Sequence, residues 1–160
     1  MDLPLFMSTL IYTALLVLLD QLSKIIVTKI NSNSHLDYTV IKGFFNITYA
    51  ENTGAAFSIL EGKRVYFIII TLVVIAALIF YFFKEKPKGI EKICLILIIS
   101  GAIGNLIDRI IHGYVTDFLN FNIFGYDFPI FNIADSYITV GAILLIIIEL
   151  LKGDKKNARD

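Results

Sequence analysis

The sequence predicts an α-helical integral membrane protein, four transmembrane helices with a small extracytoplasmic β-sheet loop domain. Two observations carry that prediction. Apolar stretches at about 5–30, 65–83, 93–111 and 133–151 each come near the ~20 residues that a helix needs to cross a bilayer. Charge is also scarce: 18% of the 160 residues are charged, where an ordinary soluble domain carries about a quarter, and the mean hydropathy is +0.77. The chain, 1–160, reads as a single integral membrane domain with one long extracytoplasmic loop at about 31–64.

The first stretch is interrupted by Asp20 and Lys24. It has no basic leader and no small-x-small site after a short apolar core, so it is expected to remain as a membrane helix. The loop that follows, HLDYTVIKGFFNITYAENTGAAFSILEG, alternates β-branched and aromatic residues, with turn signals at Gly43 and at Asn52-Thr53-Gly54. That is the pattern of short strands, and it predicts a small sheet lying on the outer membrane surface. The second stretch, VYFIIITLVVIAALIFYFF, carries no charge. Lys84, Lys86, Lys88 and Lys92 separate it from the third, and Lys152, Lys155, Lys156 and Arg159 follow the fourth. Short Lys-rich loops stay in the cytoplasm. Four spans satisfy this for both basic segments when the N- and C-termini are cytoplasmic. The connections 31–64 and 112–132 then face outward, despite Lys42, Lys63 and Arg64. Cys94 is the only cysteine, which excludes an internal disulfide, and a formal net charge of zero gives no sign of nucleic-acid binding.

This topology assigns a depth to each ionisable residue within a span. Helix one rises outward, placing Asp20 about 22 Å along it at ~1.5 Å per residue, with Lys24 one turn further on the same face. Asn105 sits about 18 Å up helix three, with Asp108 and Arg109 above it. Asp117 follows in the outer connection, and Asp135 opens helix four. Asn52 and Asn132 are also outside. The polar residues therefore gather at the outer edge of the membrane.

Each has a structural explanation. Asp20 and Lys24 can be an ion pair that supports a helix end, and Asp108 with Arg109 an interfacial anchor. Gly101, Ala102 and Gly104 suit close helix packing. Asn132 suits an N-cap, with Asp135 complementing the helix dipole. His35 and His112 read as solvated loop residues, and no spacing of His, Cys and carboxylates suggests a metal site. Asp117 and Asp135 together admit a further reading. Eighteen residues apart, they can meet where a loop leaves helix three and returns to helix four. Two carboxylates held close at low dielectric share a proton. One can then take a proton from water while the other protonates a carbonyl oxygen.

The chain resembles the lipoprotein signal peptidases, the bacterial signal peptidase II family of membrane aspartic proteases. The matching motifs are DQLSK (20–24), NTGAAFS (52–58), GAIGNLIDR (101–109), VTDF (115–118) and FNIADS (131–136), in the family's order and over most of the chain. Ser100 stands where many members have a second glycine. The resemblance implies a multi-pass protein of the bacterial cytoplasmic membrane that cleaves prolipoproteins before a diacylglyceryl-modified cysteine, at its extracytoplasmic face. It implies Asp117 and Asp135 as the catalytic pair, with Asn52, Gly54, Asn105, Arg109 and Asn132 lining or supporting the site. Asp20 with Lys24 would brace it, and Gly101 would belong to its packing. Asn52 and Arg109 are expected to hydrogen-bond the substrate backbone, and Phe44, Phe45 and Phe57 to cradle it. Water is the nucleophile, no metal or organic cofactor is required, and a monomer working among membrane lipids is expected. Two other readings compete: an ion pathway using Asp20, Asp108 and Asp135, and a structural subunit whose carboxylates serve only as caps and pairs.

Overall fold

The computed structural model describes residues 3–54 and 61–157. Helices α1 (Leu3–Asn33), α2 (Arg64–Glu85), α3 (Gly89–Ile111) and α4 (Ile133–Asn157) all contain stretches long and apolar enough to cross a membrane. Strands β1 (Asp37–Ile41) and β2 (Phe45–Asn52) lie between α1 and α2. Strands β3 (Val115–Ile123) and β4 (Tyr126–Asp127) lie between α3 and α4. The predicted class, four helices with a small sheet, is the observed one.

The sheet is larger than the strand pattern in 31–64 suggests. Its order is β1-β2-β3-β4, antiparallel throughout, so half of its strands come from the connection between α3 and α4. The start of β3, Val115 to Phe118, is buried on both faces. It therefore lacks the alternation by which a half-buried strand is recognised. Pairing of β2 with β3 sets Ala50 opposite Asp117 and Asn52 opposite Val115. Residues far apart in the chain thus meet at the end of the bundle.

Helix α3 is the axis. Half of its spanning window is buried, against 6–17% for the other three helices. Helices α1, α2 and α4 all pack on it. Their outward faces, with Leu18, Ile25, Val73, Phe80 and Ile146 among the exposed residues, form an apolar surface far larger than a water-soluble monomer shows. Small residues let α3 and α4 approach closely. A Cβ on Gly101 would collide with the Ala134 carbonyl oxygen and lie 2.8 Å from Ile138 Cγ1, and one on Gly141 would lie 2.8 Å from the Cys94 carbonyl oxygen. Ser100 fits this seam because its hydroxyl donates to the Ile96 carbonyl oxygen (2.6 Å) within its own helix. Gly101→Ala is expected to push α4 away and cost about 1–3 kcal/mol, read as a lower unfolding temperature in detergent. A variant that melts with the wild type would show that this contact does not set the helix spacing.

The sheet end of α3 is closed with care. Gly113, at φ +90°, turns the chain out of the helix. Arg64, at the start of α2, donates to the carbonyl oxygens of Arg109 and Ile110 (2.7 Å each). These are groups that a helix end leaves open. Across the sheet, Phe45 stacks on Phe121 (4.4 Å between centroids), Phe44 meets the same ring edge-on, and Phe121 continues to Phe131 and Phe128. Phe57 lies outside the described residues.

Candidate active site

The first turn of α4 organises the site. Asn132 is the N-cap: its Oδ1 accepts from the Asp135 backbone N–H (2.9 Å), and the Asp135 carboxylate returns to the Asn132 backbone N–H (3.2 Å). This is the reciprocal arrangement of a capping box, with aspartate in place of the usual glutamate or glutamine. The capping role foreseen for Asn132 is therefore real, but it leaves both side chains with atoms to spare. Asn132 Nδ2 donates to Asp117 Oδ1 (2.7 Å), and Asn105 Nδ2 donates to Asp135 Oδ1 (2.7 Å). Asn52 Nδ2, from the end of β2, donates to Asp117 Oδ2 (2.9 Å). Each of the four carboxylate oxygens thus accepts from a fixed N–H, and Asn132 touches both acids.

Asp117 is 2% exposed. Burial, and then the charge of Asp135, push its carboxyl up to about 7, while the bonds from Asn52 and Asn132 and the charge of Lys24 pull the other way. Asp135 is half-buried and faces a cavity of about 650 Å³. Asn52, Asn105 and Arg109 also line that cavity, with Phe67 and Thr71 of α2, Ile138 and Val140 of α4, and the segment 128–131. Its wall is otherwise mostly apolar. Arg109 donates to the Gly54 carbonyl oxygen (3.0 Å) and lies over the Phe67 ring, 5.0 Å from its centroid. The Gly54 N–H in turn donates to Asn52 Oδ1 (2.9 Å), which fixes the amide that holds Asp117.

Beneath the pair lies a buried ionic cluster. Lys24 Nζ contacts Asp20 Oδ2 (2.9 Å), Asp108 Oδ2 (3.0 Å) and Asn105 Oδ1 (3.0 Å). Asp20 also accepts from the Ala134 N–H (3.0 Å), so α1 caps α4 as well. The approach is close enough that a Cβ on Gly104 would collide with Asp20 Oδ2. The structure therefore brings Asp20, Lys24, Asn52, Gly54, Asn105, Arg109, Asp117, Asn132 and Asp135 into one network, with Gly101 supporting it from the α3–α4 seam.

Three residues join without having been singled out for the site. Asp108, read beside Arg109 as an interfacial anchor, instead points inward and is 2% exposed. Its partners are Lys24, the Thr116 N–H and Gln21. Neighbours in a helix point about 100° apart, and the three-residue step from Asn105 was the signal that Asp108 shares its face. Gln21 bonds Asp108 and the Gly104 carbonyl oxygen, and Phe67 supports Arg109. No Asp, Glu, Lys, Arg or His occurs at 6–19, 65–83, 93–107 or 136–148. The mid-membrane stretches thus offer no carboxylate, histidine or basic side chain for a relay.

Comparison with known proteins gives a consistent result. The family described as signal peptidase (SPase) II matches residues 12–151. A lipoprotein signal peptidase of Staphylococcus aureus is 46% identical over 157 residues, covering 96% of this chain and 93% of its own. Another, from strain JH9 of that species, is 45% identical over the same shares. Two solved bacterial membrane enzyme structures, obtained by the in meso method at 2.3 and 1.9 Å resolution, superpose with TM-scores of 0.82 and 0.76. They are 41% and 42% identical, covering 93% and 91% of this chain and 90% and 93% of theirs.

Proposed function

The chain belongs to the signal peptidase II family, a membrane-embedded, multi-pass protease, and from that premise we propose an aspartic endopeptidase that removes signal peptides from prolipoproteins. Cleavage falls before a cysteine carrying diacylglycerol. Asp117 and Asp135 share one proton. The ionised carboxylate takes a proton from water as the water oxygen attacks the scissile carbonyl carbon, and the protonated partner gives its proton to the carbonyl oxygen. Collapse of the resulting diol returns a proton to the leaving nitrogen. The pair titrates as a unit, so the acid and base roles belong to the dyad rather than to either member.

The observation that carries this reading is the double attachment of Asn132. One residue holds both carboxylates, and the Asp117 carboxyl is raised to about 7 by burial beside Asp135. The apolar cavity supports the lipid part of the substrate. Helices α2 and α4 both pack on α3, and Thr71 of α2 with Ile138 and Val140 of α4 line the cavity within the spans. Acyl chains can lie along this wall while the peptide crosses the dyad. Asn52 and Arg109 then exchange part of their present bonding for the substrate backbone, Arg109 through its rigid fork. The basic segment between α2 and α3 and the basic tail support a topology with both termini in the cytoplasm and the sheet and the site on the opposite face. The protein works as one copy among membrane lipids and its substrate.

A peptide with a diacylglyceryl-cysteine after a short apolar segment tests this against its unlipidated copy, across a range of pH. Only the lipidated peptide is expected to be cut. Its rate should fall as pH rises through about 7, because the second carboxyl of the pair then loses the proton that the mechanism needs. Equal cutting of both peptides removes the assigned substrate, and a rate unchanged into the alkaline range removes the shared proton.

A further inference from the structure

Among the described residues, the most exposed large hydrophobic side chain is that of Phe124. It stands at the tip of the β3–β4 hairpin with φ +52°, followed by Gly125 at +85°. Two successive positive φ values define a tight hairpin turn that favours Asn-Gly or Gly-Gly. A bulky aromatic in the first position adopts this conformation only at a cost. The ring recovers nothing from the protein, since Phe124 is 105% exposed. Ile123, Tyr126 and Phe128 around it are also exposed. The polar groups of the tip, by contrast, are turned onto one another. Asn122 Nδ2 donates to Asp127 Oδ1 (2.6 Å), and Asn122 Oδ1 accepts from the Gly125 N–H (2.9 Å). A tip with paired polar groups and outward apolar rings suits an interface with lipid, where aromatic residues collect.

The position of the hairpin identifies its occupant. Phe128 follows β4 directly, and with Pro129 and Ile130 it lines the same cavity as Thr71 and Val140. Each of those lies two turns inside its spanning helix. The segment that continues from the hairpin thus borders a cavity that reaches into the first two turns of α2 and α4. We propose that this hairpin is a membrane anchor, its tip of Ile123, Phe124 and Tyr126 seated in the lipid leaflet at the sheet end of the bundle. Because Asp117 lies on the same strand as the anchor, the hairpin sets the depth of the sheet and thereby the height of the dyad above the acyl chains. The anchor itself requires only that the four helices span the bilayer, and it is independent of the dyad chemistry.

The chain contains no tryptophan, so one introduced residue reports its own surroundings. Phe124→Trp and Tyr126→Trp would be placed separately in lipid bilayers, with Val73→Trp on the exposed face of α2 as a mid-span reference. The second hairpin variant guards against a disturbed turn. Both hairpin tryptophans are expected to emit to the blue of a water-exposed indole and to resist aqueous iodide. They should lose most of their intensity to lipids brominated near the head of the acyl chain, whereas the Val73 variant responds more to deep bromines. Quenching by iodide but not by bromolipid would overturn the proposal by placing the tip in water. Resistance to both quenchers would overturn it too, by showing that protein, a second copy or another chain, covers the tip.

Discussion

Asp117→Asn and Asp135→Asn are each expected to lower cleavage of the lipidated peptide by about three orders of magnitude, since under the proposed mechanism the one carboxyl that remains cannot serve as base and acid together. The substitutions are not silent in the hydrogen-bond network. Asp117 accepts from Asn52 and from Asn132, so an amide at 117 must turn one N–H toward a donor. Stability nevertheless supplies a clean control. The Asp117 carboxyl is raised in the folded protein from its ordinary value of 3.8 to about 7. The folded state therefore binds a proton that the unfolded chain releases between those values. Wild-type stability falls as pH rises through that window, and it stays lowered above about pH 7. Asparagine at 117 binds no such proton. The Asp117→Asn protein is thus expected to show a flatter dependence of unfolding temperature on pH while being inactive throughout. If the folded variants cut the peptide at wild-type rate, the two aspartates serve the helix cap and sheet alone.

Lys24→Met is expected to cost about 3–5 kcal/mol, the range for removing one partner of a buried ion pair. That is a large part of the 5–15 kcal/mol by which a typical protein is stable. The ammonium has three N–H donors and meets three acceptors, Asp20, Asp108 and Asn105. Without it, two carboxylates that are 0% and 2% exposed face one another with no cation between them. The loss would be read as a lower unfolding temperature in detergent. Lys24→Met combined with Asp108→Asn should recover part of it, because the repulsion disappears with one of the charges. Activity should fall as well at temperatures where the variant stays folded. Lys24 holds Asn105 by its oxygen and so turns the amide nitrogen toward Asp135. A Lys24→Met protein that melts and cleaves like the wild type would remove the cluster from any role in bracing the dyad.

The helices were legible because their signal is local. An uncharged run such as 65–83 needs no partner to declare itself, since hydrocarbon admits little else. The positions of Asp20, Asn105 and Asp135 within such runs were equally visible, because an ionisable or polar group there is costly enough to stand out. The spacing of Asp117 and Asp135 allowed them to meet. It could not show that Asn132 would cap α4 and hold both acids, Asp117 through its side-chain amide and Asp135 through its backbone N–H.

Features that depend on pairing across the chain were hidden. Strand β3 is buried on both faces at its start and carries no alternation, so its membership of the sheet follows only from its register against β2. The inward turn of Asp108 depended on a cation one helix away, and the link from Arg109 to Gly54 on a loop 55 residues distant. The sequence by itself determined a four-span membrane protein with its polar residues at one edge, because hydrophobicity and helical period act over a few turns. Which of those residues touch, and through which atoms, was settled by the approach of α1 and α4 to α3 and by the pairing of β2 with β3. Hydrogen bonds are short and directional, and no local pattern of residues encodes a distance that the whole chain must close.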